Sequence, residues 1–173
     1  MYFMPNESNM SKPGRELNVE NFKNLGRHNI AQFYNERLFP RFNNELEDAY
    51  KHLQLFSASH KAPEGYNKVI ELAHQIIQQF SIHTTKEIKM LMVSSIQDKE
   101  KIAAEKKELL KEHRIIQSLF EELNKLSISL RSIPEMPSTF RLADARFNNL
   151  RQDFSLLFFL EEEYLFPRLL PTN

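Results

Sequence analysis

The chain reads as all-α, and three observations predict that class. Apolar residues recur at helical spacing through nearly all of it, no segment shows the strict alternation of a half-buried strand, and the prolines and glycines gather in short stretches between the periodic segments. The expected architecture is an up-and-down four-helix bundle with an extra N-terminal helical arm, because short links between long helices favour antiparallel neighbours.

In chain order, residues 1–16 are polar, hold Pro5, Pro13 and Gly14, and show no periodicity, which predicts a flexible tail. Residues 17–173 are expected to form one domain, with its core over 39–169. The helical pattern starts near Val19, and Pro40 is expected to end or kink this first segment. A second stretch, Arg41 to about Ser57, stops before "HKAPEGY", whose proline and glycine read as a connection. Helices are then expected from about Tyr66 to Ser95 and from about Asp98 to Leu130. The linker "RSIPEMPST" follows, and a last helix runs from about Phe140 to Phe166. The tetrapeptide "LFPR" occurs at Leu38–Arg41 and again at Leu165–Arg168, too short a match to establish an internal repeat.

Bulk composition narrows the function. A length of 173 residues suits one domain with a sizeable core. The longest unbroken apolar run is Leu156 to Leu160, so no membrane span is expected, and the N-terminus lacks a signal-peptide core; a cytoplasmic location is expected. With 23 basic and 23 acidic side chains, there is no electrostatic reason to expect nucleic acid or an anionic membrane as partner. The absence of Cys removes disulfides, thiolate metal sites and Cys nucleophiles together. Only Gly14, Gly26 and Gly65 are present, so glycine-rich phosphate loops and nucleophile elbows are not expected. The run "QDKEKIAAEKKELLKEHR" mixes charges of both signs around Ile102, Leu109 and Leu110 and reads as a solvated helix face. No nucleophile with a paired base stands at a recognisable spacing.

The informative residues are polar ones on apolar faces. Counting in sevens, Phe39, Leu46, Leu53 and His60 form one column beside Phe42, Ala49 and Phe56. Val69, Ile76, His83 and Met90 form a second, next to Ala73, Phe80, Glu87 and Ser94. Ile102, Leu109, Ile116, Leu123 and Leu130 form a third, with Lys106, His113, Phe120 and Ser127 beside it. Phe147, Phe154 and Glu161 form a fourth, flanked by Leu150, Leu157 and Tyr164, while Glu162 and Glu163 are free to turn to water. His52 and His74 miss the apolar columns, and the stripe around His28 is too blurred to assign. Five metal-competent side chains, His60, His83, Glu87, His113 and Glu161, are therefore expected to converge in one core. There they need each other's protons or a cation between them. Imidazole with carboxylate suits non-haem iron, and also zinc or manganese.

These residues resemble the hemerythrin-like domain family, closest to the di-iron proteins of iron-sulfur cluster repair under nitrosative and oxidative stress. The resemblance spans about Phe39 to Leu169. It rests on "SASHKAP" around His60, "SIHTTKE" with His83 and Glu87, "LLKEHRIIQSL" with His113, and "LEEEYLFPRL" with Glu161. It implies a four-helix bundle holding an oxo- or hydroxo-bridged iron pair, with Glu87 and Glu161 as bridging acids and His60, His83 and His113 as terminal ligands. Two of the family's histidines are missing. Leu157 stands one turn before the last acid, and the opening His falls on Phe39 in an ungapped match or on Tyr34 in a gapped one. The remaining set implies either a single metal with water completing its shell, or an iron pair that leans on solvent or Tyr34.

The function expected is that of a non-haem iron-binding protein that senses or handles iron, oxygen or nitric oxide, with a stress-related role. Its partners would be the metal and a small diatomic ligand, behind a dry wall of Phe39, Phe80, Phe120 and Leu157. The competing expectation is a degenerate, metal-free bundle acting as an interaction or regulatory module. In that case His83 and His113 would bond directly to Glu87 and Glu161 and a carboxyl pKa would rise.

Overall fold

A computed structural model of the chain describes residues 16–59, 62–92 and 99–169. Every regular element among them is helical: α1 (Val19–Asn24), α2 (Arg27–Phe33), a first π turn (Tyr34–Leu38), α3 (Phe39–Ser59), α4 (Tyr66–Met92), α5 (Lys99–Arg131), α6 (Ser138–Leu160), a second π turn (Glu161–Leu165) and α7 (Phe166–Leu169). No described helix is long and apolar enough to cross a membrane. Of the tail expected over 1–16, residues 1–15 lie outside the described residues, as does His60. Glu16, placed in that tail by its sequence, instead accepts hydrogen bonds from Arg37 and Arg41 at 3.1 and 3.3 Å.

The long helices pack in a closed ring of contacts: α3 against α4 and α6, and α5 against α4 and α6. The seven-residue columns explain this, since each helix turns one apolar stripe inward. Ile102, Leu109, Ile116, Leu123 and Leu130 are all buried on α5, as are Phe39, Leu46 and Leu53 on α3 and Val69, Ile76 and Met90 on α4. Phe42, Phe80, Phe120 and Phe154 meet at the centre, where the Phe42, Phe80 and Phe120 rings lie 4.7, 4.7 and 5.2 Å from Phe154.

The segment before α3 departs from expectation. The chain breaks at Leu25 and Gly26, where Leu25 closes α1 in an extended conformation, and not at Pro40. Helical backbone runs on through Pro40 because the turn before it widens: the Phe39 N–H bonds back five residues to the Tyr34 carbonyl. Proline lacks the N–H for an ordinary helical bond, and its ring collides with the carbonyl four residues earlier, so a wider turn is a way through. The same device recurs at the second "LFPR". There the Phe166 N–H bonds to the Glu161 carbonyl, directly ahead of Pro167.

The extra residue in the second π turn also shifts register. The seven-residue count from Leu157 places Tyr164 on the core stripe, yet Leu165 and Phe166 are the buried residues and Tyr164 is only half-buried. The short N-terminal helices lie against this region, α1 on the second π turn and α2 on α4. Arg168 fastens α1 by donating from Nη2 to the Phe22 and Leu25 carbonyls at its end, at 2.9 and 2.6 Å. A cation at a helix C-terminus satisfies carbonyls that lack intrahelical donors.

Candidate metal centre

His83 and Glu87 sit one turn apart on the inner face of α4, His113 faces them from α5, and Glu161 comes from the second π turn. All four side chains are fully buried. One ring nitrogen of His83, one of His113 and one carboxylate oxygen of Glu161 lie within 4.8 Å of one another. Four of the five expected residues therefore converge. His60, the fifth, lies outside the described residues. The histidines set aside by their columns stay out of the cluster, and His28 and His74 are exposed.

Both imidazoles are oriented from behind. The Nδ1 of His83 lies 3.3 Å from Glu112 Oε2, and the other oxygen of Glu112 accepts from Lys86. The Nδ1 of His113 lies 2.8 Å from Glu162 Oε1. A carboxylate on one ring nitrogen fixes the tautomer and leaves the other nitrogen free to bind, an arrangement common to metal-ligating histidines. His113 also packs near-parallel to two aromatic rings, Phe158 at 3.9 Å and Phe166 at 5.8 Å between centroids. The two imidazoles meet edge to face, with ring centroids 4.8 Å apart.

Several inward-facing atoms have no hydrogen-bond partner among the described residues: His83 Nε2, His113 Nε2, both oxygens of Glu87 and Oε2 of Glu161. They are not far apart. His83 Nε2 lies 3.3 Å from Glu87 Oε2, and His113 Nε2 lies 3.2 Å from Glu161 Oε2. Those separations allow electrostatic attraction, but the groups are not aligned for hydrogen bonds. Leaving so many polar atoms unsatisfied in a buried interior is costly, at roughly 1–3 kcal/mol for each neutral group and more for a charged one. The one inner oxygen that is satisfied, Glu161 Oε1, accepts from the phenol of Tyr34 at 2.7 Å.

The electrostatics follow from this crowding. Burial, reinforced by the neighbouring Glu161 carboxylate, pushes Glu87 up to about 7 despite the opposing pull of His83. Burial pulls His83 down, but Glu112 and Glu87 outweigh it and lift the imidazole to about 9. His113 is raised for the same kind of reason, with Glu161 and Glu162 overcoming burial. Burial and the two inner acids hold the Tyr34 phenol well above its ordinary range, so it stays a donor. Glu112 is lowered against its burial by His83 and Lys86.

Sequence reasoning misassigned or passed over several of these residues. Glu112 belongs to the charged run expected to be a solvated face, yet it is buried against His83. Glu162, expected in water, is half-buried on His113. Phe39, Phe80, Phe120 and Leu157 are buried as expected, but the rings that touch the imidazoles are Phe158 and Phe166. Of the two candidates for the missing opening position, Tyr34 reaches the polar core and Phe39 packs against its ring at 4.6 Å. The signal for Glu112 was its place immediately before His113 in "KEHR".

No family model, curated protein or solved structure matches this chain.

Proposed function

We propose that this chain is a hemerythrin-like four-helix bundle with an N-terminal helical arm, and that it binds non-haem iron in its core in order to sense or handle iron, oxygen or nitric oxide in the cytoplasm under stress. One observation carries the proposal. Two imidazole nitrogens and three carboxylate oxygens, all fully buried, have no hydrogen-bond partner among the described residues, and each imidazole is backed by an outer carboxylate. A cation placed among them would satisfy the whole set at once. The donors suit iron, and also zinc or manganese.

In this reading His83, His113, Glu87 and Glu161 hold the metal, with His60 as a further ligand. Glu112 and Glu162 orient the imidazoles, and Phe158 and Phe166 exclude water from the His113 side. The bound metal would supply the affinity for a small diatomic ligand and any electron transfer.

A second reading draws on the raised Glu87 carboxyl and the close His–Glu approaches: the cluster keeps its own protons, and the protein serves as a metal-free interaction module. Elemental analysis of untagged protein, reconstituted anaerobically with ferrous iron, separates the two. Iron binding is expected at about one equivalent or more. It should vanish in His83→Ala and survive in His74→Ala, whose side chain lies on the surface against Tyr50. Only trace iron, zinc and manganese in the wild-type protein would favour the second reading.

A further inference from the structure

The two inner acids are not equivalent, and the difference lies in Tyr34. Among the described residues, Glu87 has both oxygens unpartnered. Glu161 has one: its Oε1 is taken by the Tyr34 hydroxyl at 2.7 Å, while its Oε2 remains open beside His113 Nε2. A phenol-to-carboxylate bond of that length is at the strong end for a neutral donor. The phenol cannot easily swing away. Its ring is fully buried, with Phe39 at 4.6 Å, Phe33 at 6.1 Å and Phe22 at 6.2 Å. The first π turn sets the ring there from the N-terminal arm, and the second sets Glu161 opposite it.

A carboxylate oxygen that accepts a hydrogen bond keeps a second lone pair but becomes a weaker metal donor, so the Tyr34 bond to Oε1 leaves Oε2, beside His113 Nε2, as the stronger donor of Glu161. Among the described residues the compact donor cluster is His83, His113 and Glu161, two imidazoles and one carboxylate, a set that suits a single ferrous ion with open positions. We propose that Tyr34 favours a one-metal centre: its phenol weakens Oε1 of Glu161 as a donor and holds Oε2 beside His113, so the cluster takes a single divalent cation through His83, His113 and Glu161 Oε2, with Glu87 as a further donor. Tyr34 acts as a positioning residue, since it touches the ligand and not the metal. The inference rests on the metal-binding reading above and departs from the bridged pair that the family resemblance implies.

The test uses the untagged full-length chain titrated with Mn(II) alone, followed by elemental analysis and electron paramagnetic resonance. Saturation at one manganese per chain is expected, with the spectrum of an isolated ion. Tyr34→Phe should weaken Mn(II) binding about 10- to 100-fold, the usual effect of losing a ligand's supporting hydrogen bond. It should also change the zero-field splitting of the fully loaded sample, which a merely structural role would leave alone. Saturation at two exchange-coupled ions per chain would overturn the one-metal centre while leaving metal binding in place. A Tyr34→Phe protein with wild-type affinity and spectrum would overturn the role of Tyr34. So would a visible phenolate charge-transfer band in the ferric wild-type protein, because the phenol would then be a ligand itself. If no Mn(II) or Fe(II) binds, both this inference and the reading beneath it fall. Should Tyr34→Phe not fold, the wild-type stoichiometry and spin coupling still decide.

Discussion

His83 takes its inner acid from its own helix, one turn on at Glu87, whereas His113 takes Glu161 from the second π turn, 48 residues further along the chain. Behind His83 stands Glu112, anchored to Lys86, whose side chain is half in solvent; behind His113 stands Glu162, itself partly in solvent. His83 meets Phe158 only at its edge, while His113 is stacked on Phe158 and backed by Phe166. The first half of the cluster is thus local and electrostatic, the second long-range and aromatic. Similar donor positions have been reached by different means, and the two halves should fail differently.

The largest expected effect tests the long-range half. Phe158→Ala removes the stacked ring from a fully buried position and should cost about 3–5 kcal/mol of stability in denaturant unfolding. Phe159→Ala, next to it but 52% exposed, should stay within about 0.5 kcal/mol. Equal losses would mean that the stack on His113 is not what holds that side.

Acid–base behaviour sharpens the comparison next. Glu87 rises from its ordinary 4.5 to about 7 and His83 from 6.5 to about 9, so over those intervals the folded metal-free protein keeps protons that the unfolded chain releases. The contribution of His83 is complete below pH 6.5 and is lost as pH rises through about 9; that of Glu87 declines between 4.5 and about 7. Metal-free stability should therefore fall as pH climbs from 4.5 to 9, as read from denaturation midpoints. Metal affinity should run the other way, because the ligands must shed those protons first. A metal-free protein that gains stability across this window would contradict the buried-proton account.

The smallest effect belongs to the local half. Lys86→Ala removes an ion-pair partner that is half exposed, and should cost no more than about 1 kcal/mol. Its clearer signature is a lower His83 pKa by nuclear magnetic resonance titration, since Glu112 would lose its anchor. An unchanged His83 pKa would detach Lys86 from the site.

The same contrast explains what the sequence made legible. His83, Glu87 and His113 lie within regular α-helices, where counting in sevens tracks the inner face, and all are buried as counted. Glu161 was found because it stands at the start of the π turn, before register shifts; Tyr164, later in that turn, was misplaced for the same reason. The duplicated "LFPR" was a local signal for both wide turns, but its meaning depends on backbone hydrogen bonding, which composition does not display. Glu112 and Glu162 escaped because acids inside a run of charged residues look solvated until a second helix packs over them. Tyr34 surfaced only through a gapped family match, since its partner is 127 residues away.

The grip of Arg168 on the end of α1 gives the short α7 helix an unexpected reach. Replacing Arg168 by alanine would unfasten α1, loosen the segment that carries Tyr34, and so register at the interior as a slackened carboxylate. Damage at α7 would be felt through α1.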